Sequence, residues 1–284
     1  MEPIYEIVSV SHNGYGQMWY PFSFDTNSGL TLIHCKNRTE AFSLQTLIGF
    51  MFAKNNDNVF HRSNFYSFHG TMDRSNNITE CEIIFKSSIH EYRMIRKFDD
   101  SHHYSEFYIE KIGSGICYYG NEAISLFRKF QSPVVFEGKC NNYDRAVIQM
   151  PYDENSRIRM QEMVQRWMKI LGYNNGSVYL SPNGSWGFRN RENYIDNKQK
   201  AWNIISLMAI FAQAIYKTLR IGYTSPLVMY FEMELFSSFE IESILNLINS
   251  ICSEHSINAI MISDIENVDT KLRKIVIPDS SLYT

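Results

Sequence analysis

The stretch from Gly29 to Phe50 constrains this chain's fold more than any other. Leu30-Thr31-Leu32-Ile33 is a short apolar run that reads as a buried strand. Phe42, Leu44, Leu47, Ile48 and Met51 recur at helical spacing and predict a helix over residues 41–54. Between the two lies a polar turn, Lys36-Asn37-Arg38-Thr39.

Strand, turn and helix of this size are the frame of a phosphate-binding loop, G-x-x-x-x-G-K-[ST]. Laid on this sequence, the motif finds the wrong residue at every chemically essential position. Cys35 stands for the first glycine, Glu40 for the second, Ala41 for the lysine and Phe42 for the hydroxyl residue. Shifting the frame by one residue recovers only Ser43. Such a loop turns backbone N–H groups onto phosphate oxygens, with lysine countering their charge and Ser/Thr holding magnesium. The Glu40 carboxylate would instead sit about 4 Å from a phosphate, a repulsion of roughly 4 kcal/mol per unit charge at a protein-like dielectric. A loop of this composition is expected to bind no nucleotide. An ordinary strand–turn–helix of other origin fits the same stretch, so the rest of the chain has to decide.

The 284 residues suffice for one large core or two modest ones, and 44% hydrophobic residues fit a packed globular protein. A net charge of -3 supplies no global basic field for nucleic acid. Cys35, Cys81, Cys117, Cys140 and Cys252 are scattered, form no C-x-x-C pair, and read as reduced thiols. The start, Met1-Glu2-Pro3-Ile4-Tyr5-Glu6, lacks the basic and apolar regions of a signal peptide. The most apolar run, Ala201 to Tyr216, contains Asn203, Ser206 and Gln213 and is short for a bilayer, so it reads as a buried helix. A soluble, cytoplasmic protein with no membrane association is expected.

In chain order, Ile4–Val10 and Met18–Phe24 read as two strands ahead of the Leu30 strand. Glu80–Lys86 and His90–Phe98 read as an antiparallel pair, Tyr104–Ile112 as a further strand, and residues 121–131 as a short helix. Residues 133–150 hold two more apolar runs. Asp153–Leu171 is an amphipathic helix with Met160, Met163, Val164, Trp167, Met168 and Leu171 on one face; Arg157, Arg159, Arg166 and Lys169 lie off it as a solvated basic face. Residues 173–193, rich in Asn, Gly and Ser, form the longest irregular stretch. A helix over 196–219, capped by Asp196, precedes the buried strand Pro226–Phe231. An amphipathic helix over Phe239–His255 and strands at Ile257–Ile262 and Lys274–Ile277 complete a parallel α/β pattern. No heptad run is long enough for a coiled coil.

Pro226 to Ser238, P-L-V-M-Y-F-E-M-E-L-F-S-S, resembles the Walker B strand and following loop of the ABC-type ATPase heads of SMC, RecN and RecF proteins. In that comparison Phe231 takes the place of the magnesium-binding aspartate, Glu232 that of the catalytic glutamate, and Ser237-Ser238 that of Leu-Asp. Ala259-Ile260-Met261-Ile262 resembles the strand before the switch histidine, with Ser263 at the histidine position. Ile195-Asp196-Asn197-Lys198-Gln199-Lys200 stands where such heads carry L-S-G-G-Q-K, and only Gln199-Lys200 survives of it. Tyr92 to Phe98 is similar to a Y-x-I-x-R-x-F strand of the heads' antiparallel sheet. The likeness covers residues 4–54, 80–98 and 194–277 and rests on order and spacing.

The resemblance implies an α/β head in one domain over residues 1–284. An N-terminal antiparallel sheet should lie beside a mainly parallel one with flanking helices, and residues 99–193 should form a compact insertion in place of coiled-coil arms. It implies a pseudo-ATPase without cofactor or metal, acting as a structural or regulatory subunit of a DNA-processing or defence complex. Its partner would be an active head or a second copy, with DNA reached through the complex. Aromatic side chains at Tyr179, Trp186, Phe188 and Tyr194, and at Phe60, Phe65, Tyr66 and Phe68, are the candidate contact residues. Two other readings remain. His61, His69, His90, His102 and His103, with Asp99, Asp100 and Glu106, could hold a metal for hydrolysis, although adjacent histidines on a strand face opposite sides. The chain could also be a plain α/β interaction module.

Overall fold

The computed structural model describes residues 2–13, 21–52, 78–99, 104–131, 134–139, 153–190, 195–222, 225–264 and 274–276. The elements begin with β1 (Glu2–His12), β2 (Phe22–Asp25), β3 (Leu30–His34), α1 (Arg38–Met51), β4 (Ile78–Ser87), β5 (Glu91–Asp99), β6 (Tyr104–Lys111) and β7 (Ile116–Tyr119). There follow α2 (Gly120–Phe127), β8 (Phe130–Gln131), β9 (Val134–Lys139), α3 (Glu154–Ile170), β10 (Gly176–Leu180) and β11 (Trp186–Asn190). The chain continues through α4 (Ile195–Ile221), β12 (Leu227–Tyr230), α5 (Ser238–His255), β13 (Ala259–Ser263) and β14 (Lys274–Val276).

Five strands form a parallel sheet in the order β14-β3-β13-β12-β9. Side chains alternate across a strand, and here both faces are covered, which is why β3, β12 and β13 are buried throughout and mostly apolar. Leu30, Leu32, Leu227, Met229, Ala259 and Met261 face a core built with α3, α4 and α5. Ile33, Val228, Tyr230, Ile260 and Ile262 face a second core, shared by α1 and the inner side of the antiparallel sheet. That sheet runs β2-β1-β4-β5-β6-β7, with β8 added parallel to β1. Its inner side buries Ile4, Ile7, Val10, Ile83, Phe85, Met94 and Ile109. Its outer side carries cross-strand ion pairs, Arg93 to Glu82 at 2.6 Å and Lys97 to Glu106 at 3.0 Å. The expected architecture, an antiparallel sheet beside a parallel one, is present, and residues 30–33 and 226–231 meet in one sheet.

One buried side chain joins the two sheets. Asn258, just before β13, accepts a hydrogen bond from the Ile7 N–H (3.1 Å) and donates one to the Asn27 carbonyl (2.8 Å). The pairing of β1 with β4 shifts register beside Ile7, which turns this N–H away toward the parallel sheet.

Several sequence expectations are corrected. Helix α1 starts at Arg38, three residues before the predicted 41, because the Asn37 side chain accepts from the Glu40 N–H (2.9 Å) and starts the helix there. Helix α4 starts at Ile195, so Asp196 lies inside the first turn and not at the cap. The stretch 173–193 is no irregular segment: β10 and β11 make a hairpin across the turn at Asn183-Gly184. Its glycines are where aromatic rings cross the strands, Tyr179 over Gly187 and Phe188 over Gly176. Segment 99–193 is divided between layers instead of standing apart. β6, β7 and β8 belong to the antiparallel sheet and β9 to the parallel one, while α3 packs on α4.

The outer edge of β10 is closed by side chains at four-residue spacing on α3. Gln165 accepts from the Val178 N–H (2.6 Å) and donates to the Gly176 carbonyl (3.1 Å). Gln161 accepts from the Leu180 N–H (3.0 Å), and Arg157 donates to the Leu180 carbonyl (2.8 Å). One helical repeat of four residues spans about 6 Å, close to two residues of strand, so the three side chains imitate a neighbouring strand.

Helix α4 is buried from Asn203 to Tyr216 without a break, because the sheet, α3, α5 and the hairpin surround it. No helix among the described residues is long and apolar enough to cross a membrane. Its first turns are tied to α5 by Lys200, whose ammonium lies 2.9 Å and 3.1 Å from the two Glu240 carboxylate oxygens. Glu240 also closes a capping box with Ser237. Burial opposes ionisation of Glu240, but the bonds from Ser237 and Lys200 outweigh it and hold the carboxyl below its usual range. A carboxyl depressed in the folded state stabilises the protein above its unfolded pKa of about 4.3 and stops doing so as pH falls through the folded value. Glu240→Gln is therefore expected to cost about 1 kcal/mol at neutral pH. In urea unfolding, the gap from wild type should close once the pH drops below about 4.

Candidate functional site

The carboxyl ends of β3, β12 and β13 converge on one edge of the parallel sheet, the place where ligands bind in open α/β folds. At this edge stand the turn from β3 into α1 and the first residues after β12 and β13.

The turn has only three residues, Cys35, Lys36 and Asn37, between the end of β3 at His34 and the start of α1 at Arg38. The N–H groups of Cys35 and Lys36 in the turn, and of Glu40 and Ala41 in α1, are bonded within the chain. The Cys35 N–H donates to the Ser263 carbonyl (2.7 Å) and the Ala41 N–H to the Asn37 carbonyl (3.1 Å). The Lys36 N–H donates to the Glu40 carboxylate (3.0 Å), and the Glu40 N–H to the Asn37 side chain (2.9 Å). Glu40 is 3% exposed, so its carboxylate is held inside the turn. Ser43 is not turned outward as a magnesium ligand would be; its hydroxyl donates to the Thr39 carbonyl (2.9 Å).

Beside the turn the crevice is packed with aromatic groups. The Phe42 ring lies 5.0 Å from the Tyr230 ring, and the Arg38 guanidinium sits 5.4 Å above Phe42. The Tyr230 hydroxyl donates to Asp264 (3.0 Å). Burial, then the Asp264 charge, pushes the Tyr230 phenol far up, so it remains a donor at every physiological pH. Arg38 reaches Glu232 at 3.9 Å, a pair with 47% and 12% of the side chains exposed. Burial, then Glu40 and Asp264, raises the Cys35 thiol well above its usual range. That thiol is no nucleophile.

Phe231 does not face this crevice. It turns into the opposite core and stacks on Phe236 at 5.7 Å. The side chain at the end of β12 that does face Phe42 is Tyr230, one residue earlier. Ser263 is buried and contributes its carbonyl to Cys35, while Asp264 next to it supplies the side chain at the edge. Lys200 pairs with Glu240, away from any phosphate role. The side chains of Asp196 and Asn197 lie outside the described residues.

The aromatic contact candidates separate. Trp186 is 7% exposed and belongs to the core under α4, which removes it from any contact surface. Phe188 is half-buried against the same core, and Tyr179 is 40% exposed beneath Arg189. Phe60, Phe65, Tyr66, Phe68 and Tyr194 lie outside the described residues. Of the candidate metal group, Glu106 pairs with Lys97 and His90 packs edge-on to Tyr92, at 6.1 Å. His61, His69, Asp100, His102 and His103 lie outside the described residues, and among those described no three His, Cys, Asp or Glu side chains are placed to hold a metal.

Arg38, Asn37, Tyr230 and Asp264 did not emerge from the sequence as site residues. Asn37 was detectable: Asn followed three residues later by Glu marks a helix start.

No protein-family model and no curated protein matches this chain by sequence. Solved structures match it closely in shape. The SMC head domain from Thermotoga maritima aligns with a TM-score of 0.58 at 14% identity, covering 93% of this chain and 90% of that one. An SMC head bound to the C-winged helix domain of ScpA gives 0.58 at 12% identity, over 93% and 90%. The recombination mediator protein RecF gives 0.53 at 8% identity, over 97% and 96%. At these identities the likeness defines the fold alone: the chain shares the fold of the SMC head domain and of RecF.

Proposed function

We propose that this chain is an ATPase-like head without ATPase chemistry, acting as a structural or regulatory subunit of a protein complex. The β3–α1 turn carries the reading. It is three residues long, and the N–H groups of Cys35, Lys36, Glu40 and Ala41 already have partners, one of them the Glu40 carboxylate. Two further features support it. Tyr230, not a carboxylate, faces the α1 position that would share magnesium, and Glu232 is turned to Arg38. A head of this kind acts through protein contacts, with an active head, a second copy or an accessory domain as the partner. One of its structural neighbours was solved bound to a winged-helix domain of ScpA. DNA would be reached through such a complex, in the cytoplasm.

Thermal melts with magnesium and ATP test the proposal. A head with a Kd a hundredfold below the nucleotide concentration gains about 2.7 kcal/mol, a rise of at least about 5 °C for a chain this size. Here the midpoint should not move at 5 mM Mg-ATP, roughly a hundredfold excess over a 50 µM site. A rise of several degrees would refute the proposal.

A further inference from the structure

The antiparallel sheet ends at β7, and among the described residues no strand pairs with its outer edge. Natural sheets blunt such an edge with charge, proline or a bulge, because an unpaired row of N–H and C=O groups invites another strand. This chain closes the β10 edge in its own way, with Arg157, Gln161 and Gln165. Among the described residues β7 has no such protection. Ile116-Cys117-Tyr118-Tyr119 carries neither charge nor proline and pairs with β6 in unbroken register. Ile116 is 47% exposed and Tyr119 65%. Ile112 and Ile124 on either side are exposed too, and Glu122 is the only charged residue from 112 to 124.

We propose that β7 pairs antiparallel with β7 of a second copy, about a two-fold axis, joining two antiparallel sheets into one. The patch suits its own copy. Being uncharged, it meets itself without like-charge repulsion and offers nothing to hold an acidic or basic segment. Two-fold pairing of antiparallel strands keeps each sheet face on the same side, so one residue stands opposite itself at the axis. With Cys117 there, Ile116 lies opposite the partner subunit's Tyr118 on both sides of the axis, a β-branched–aromatic pair of the kind that stabilises sheets. With Tyr118 on the axis, Ile116 would instead face Gly120, where α2 has begun. A four-residue strand buries far less than the roughly 1,200 Å² of a stable interface, so the dimer is weak, micromolar or poorer. This interface does not depend on the loss of nucleotide binding.

Sedimentation of the whole chain up to roughly 300 µM tests it, a range that captures contacts worth only about 5 kcal/mol. Wild type should shift toward dimer with concentration. Ile116→Lys/Tyr119→Lys should remain monomeric, with a thermal melt showing that it is folded. Opposed cysteines across an antiparallel pair have Cα atoms about 4.5–5.5 Å apart, within disulfide range. Mild oxidation should therefore give a covalent dimer that Cys117→Ser abolishes. A wild type monomeric at every concentration overturns the proposal. So does a dimer that survives the double lysine variant or oxidises equally well without Cys117. Capture of a strand from another protein at this edge, with no self-association, overturns it as well.

Discussion

Asn258→Leu is expected to lower the stability of the protein by about 1–3 kcal/mol, because it leaves the buried Ile7 N–H without its acceptor and takes a donor from the half-buried Asn27 carbonyl. Asn258 is 4% exposed and Ile7 fully buried, so water cannot replace what the amide supplied to the Ile7 N–H. Leucine keeps the branching and the number of heavy atoms but is bulkier, so any overpacking adds to the loss. Asn258 is also the only described side chain bonded at once to β1 and to the loop before β3, so its loss loosens the junction of the two sheets. Asn258→Asp should fall between the two, since a carboxylate still accepts from Ile7 but no longer donates to Asn27. Urea titration of the three proteins measures this, and a leucine variant within about 1 kcal/mol of wild type would mean that the clamp is dispensable.

Tyr230→Ala should cost about 3–5 kcal/mol, the usual range for removing a large aromatic from a core. Tyr230 is fully buried, lies against Phe42 of α1 and holds Asp264 at the end of β13. The Tyr230 ring fills the crevice between β12 and α1, and alanine would open a cavity there. Tyr230→Phe separates packing from hydrogen bonding. It keeps the ring and loses only the bond to Asp264, about 1.5–3 kcal/mol for a charged acceptor. Calorimetric melts of both variants decide the matter. An alanine variant as stable as the phenylalanine one would show that the ring does not pack as described.

The layers of this fold were legible because burial on both faces leaves a plain mark. β3, β12 and β13 are buried and mostly apolar, and α4 is apolar on nearly every side because it is surrounded. The hairpin β10–β11 was hidden by its own construction. Its Asn, Gly and Ser residues read as loop, whereas Gly176 and Gly187 are there to admit aromatic rings. Trp186 drew attention as an aromatic in a polar stretch, yet its neighbours Val178 and Leu180 also point inward, as a strand with one buried face requires. The first turn of α1 was missed because Arg38 and Thr39 face solvent and leave no apolar period to count. At the site, the absence of glycine and lysine from the β3–α1 turn was readable as composition. The exchange of roles between Phe231 and Tyr230 was not, since one residue's difference in where a strand ends reverses the face. The Tyr230–Asp264 and Arg38–Glu232 contacts join residues distant in sequence, and only the converging strand ends bring them together.

Isothermal calorimetry of the purified chain with magnesium and ATP tests the proposed lack of nucleotide binding most directly. The prediction is no heat of binding up to millimolar nucleotide, because the Lys36 N–H is already held by Glu40 and the space near Phe42 is filled by Tyr230. Micromolar affinity, or ATP turnover that Glu232→Gln abolishes, would contradict it.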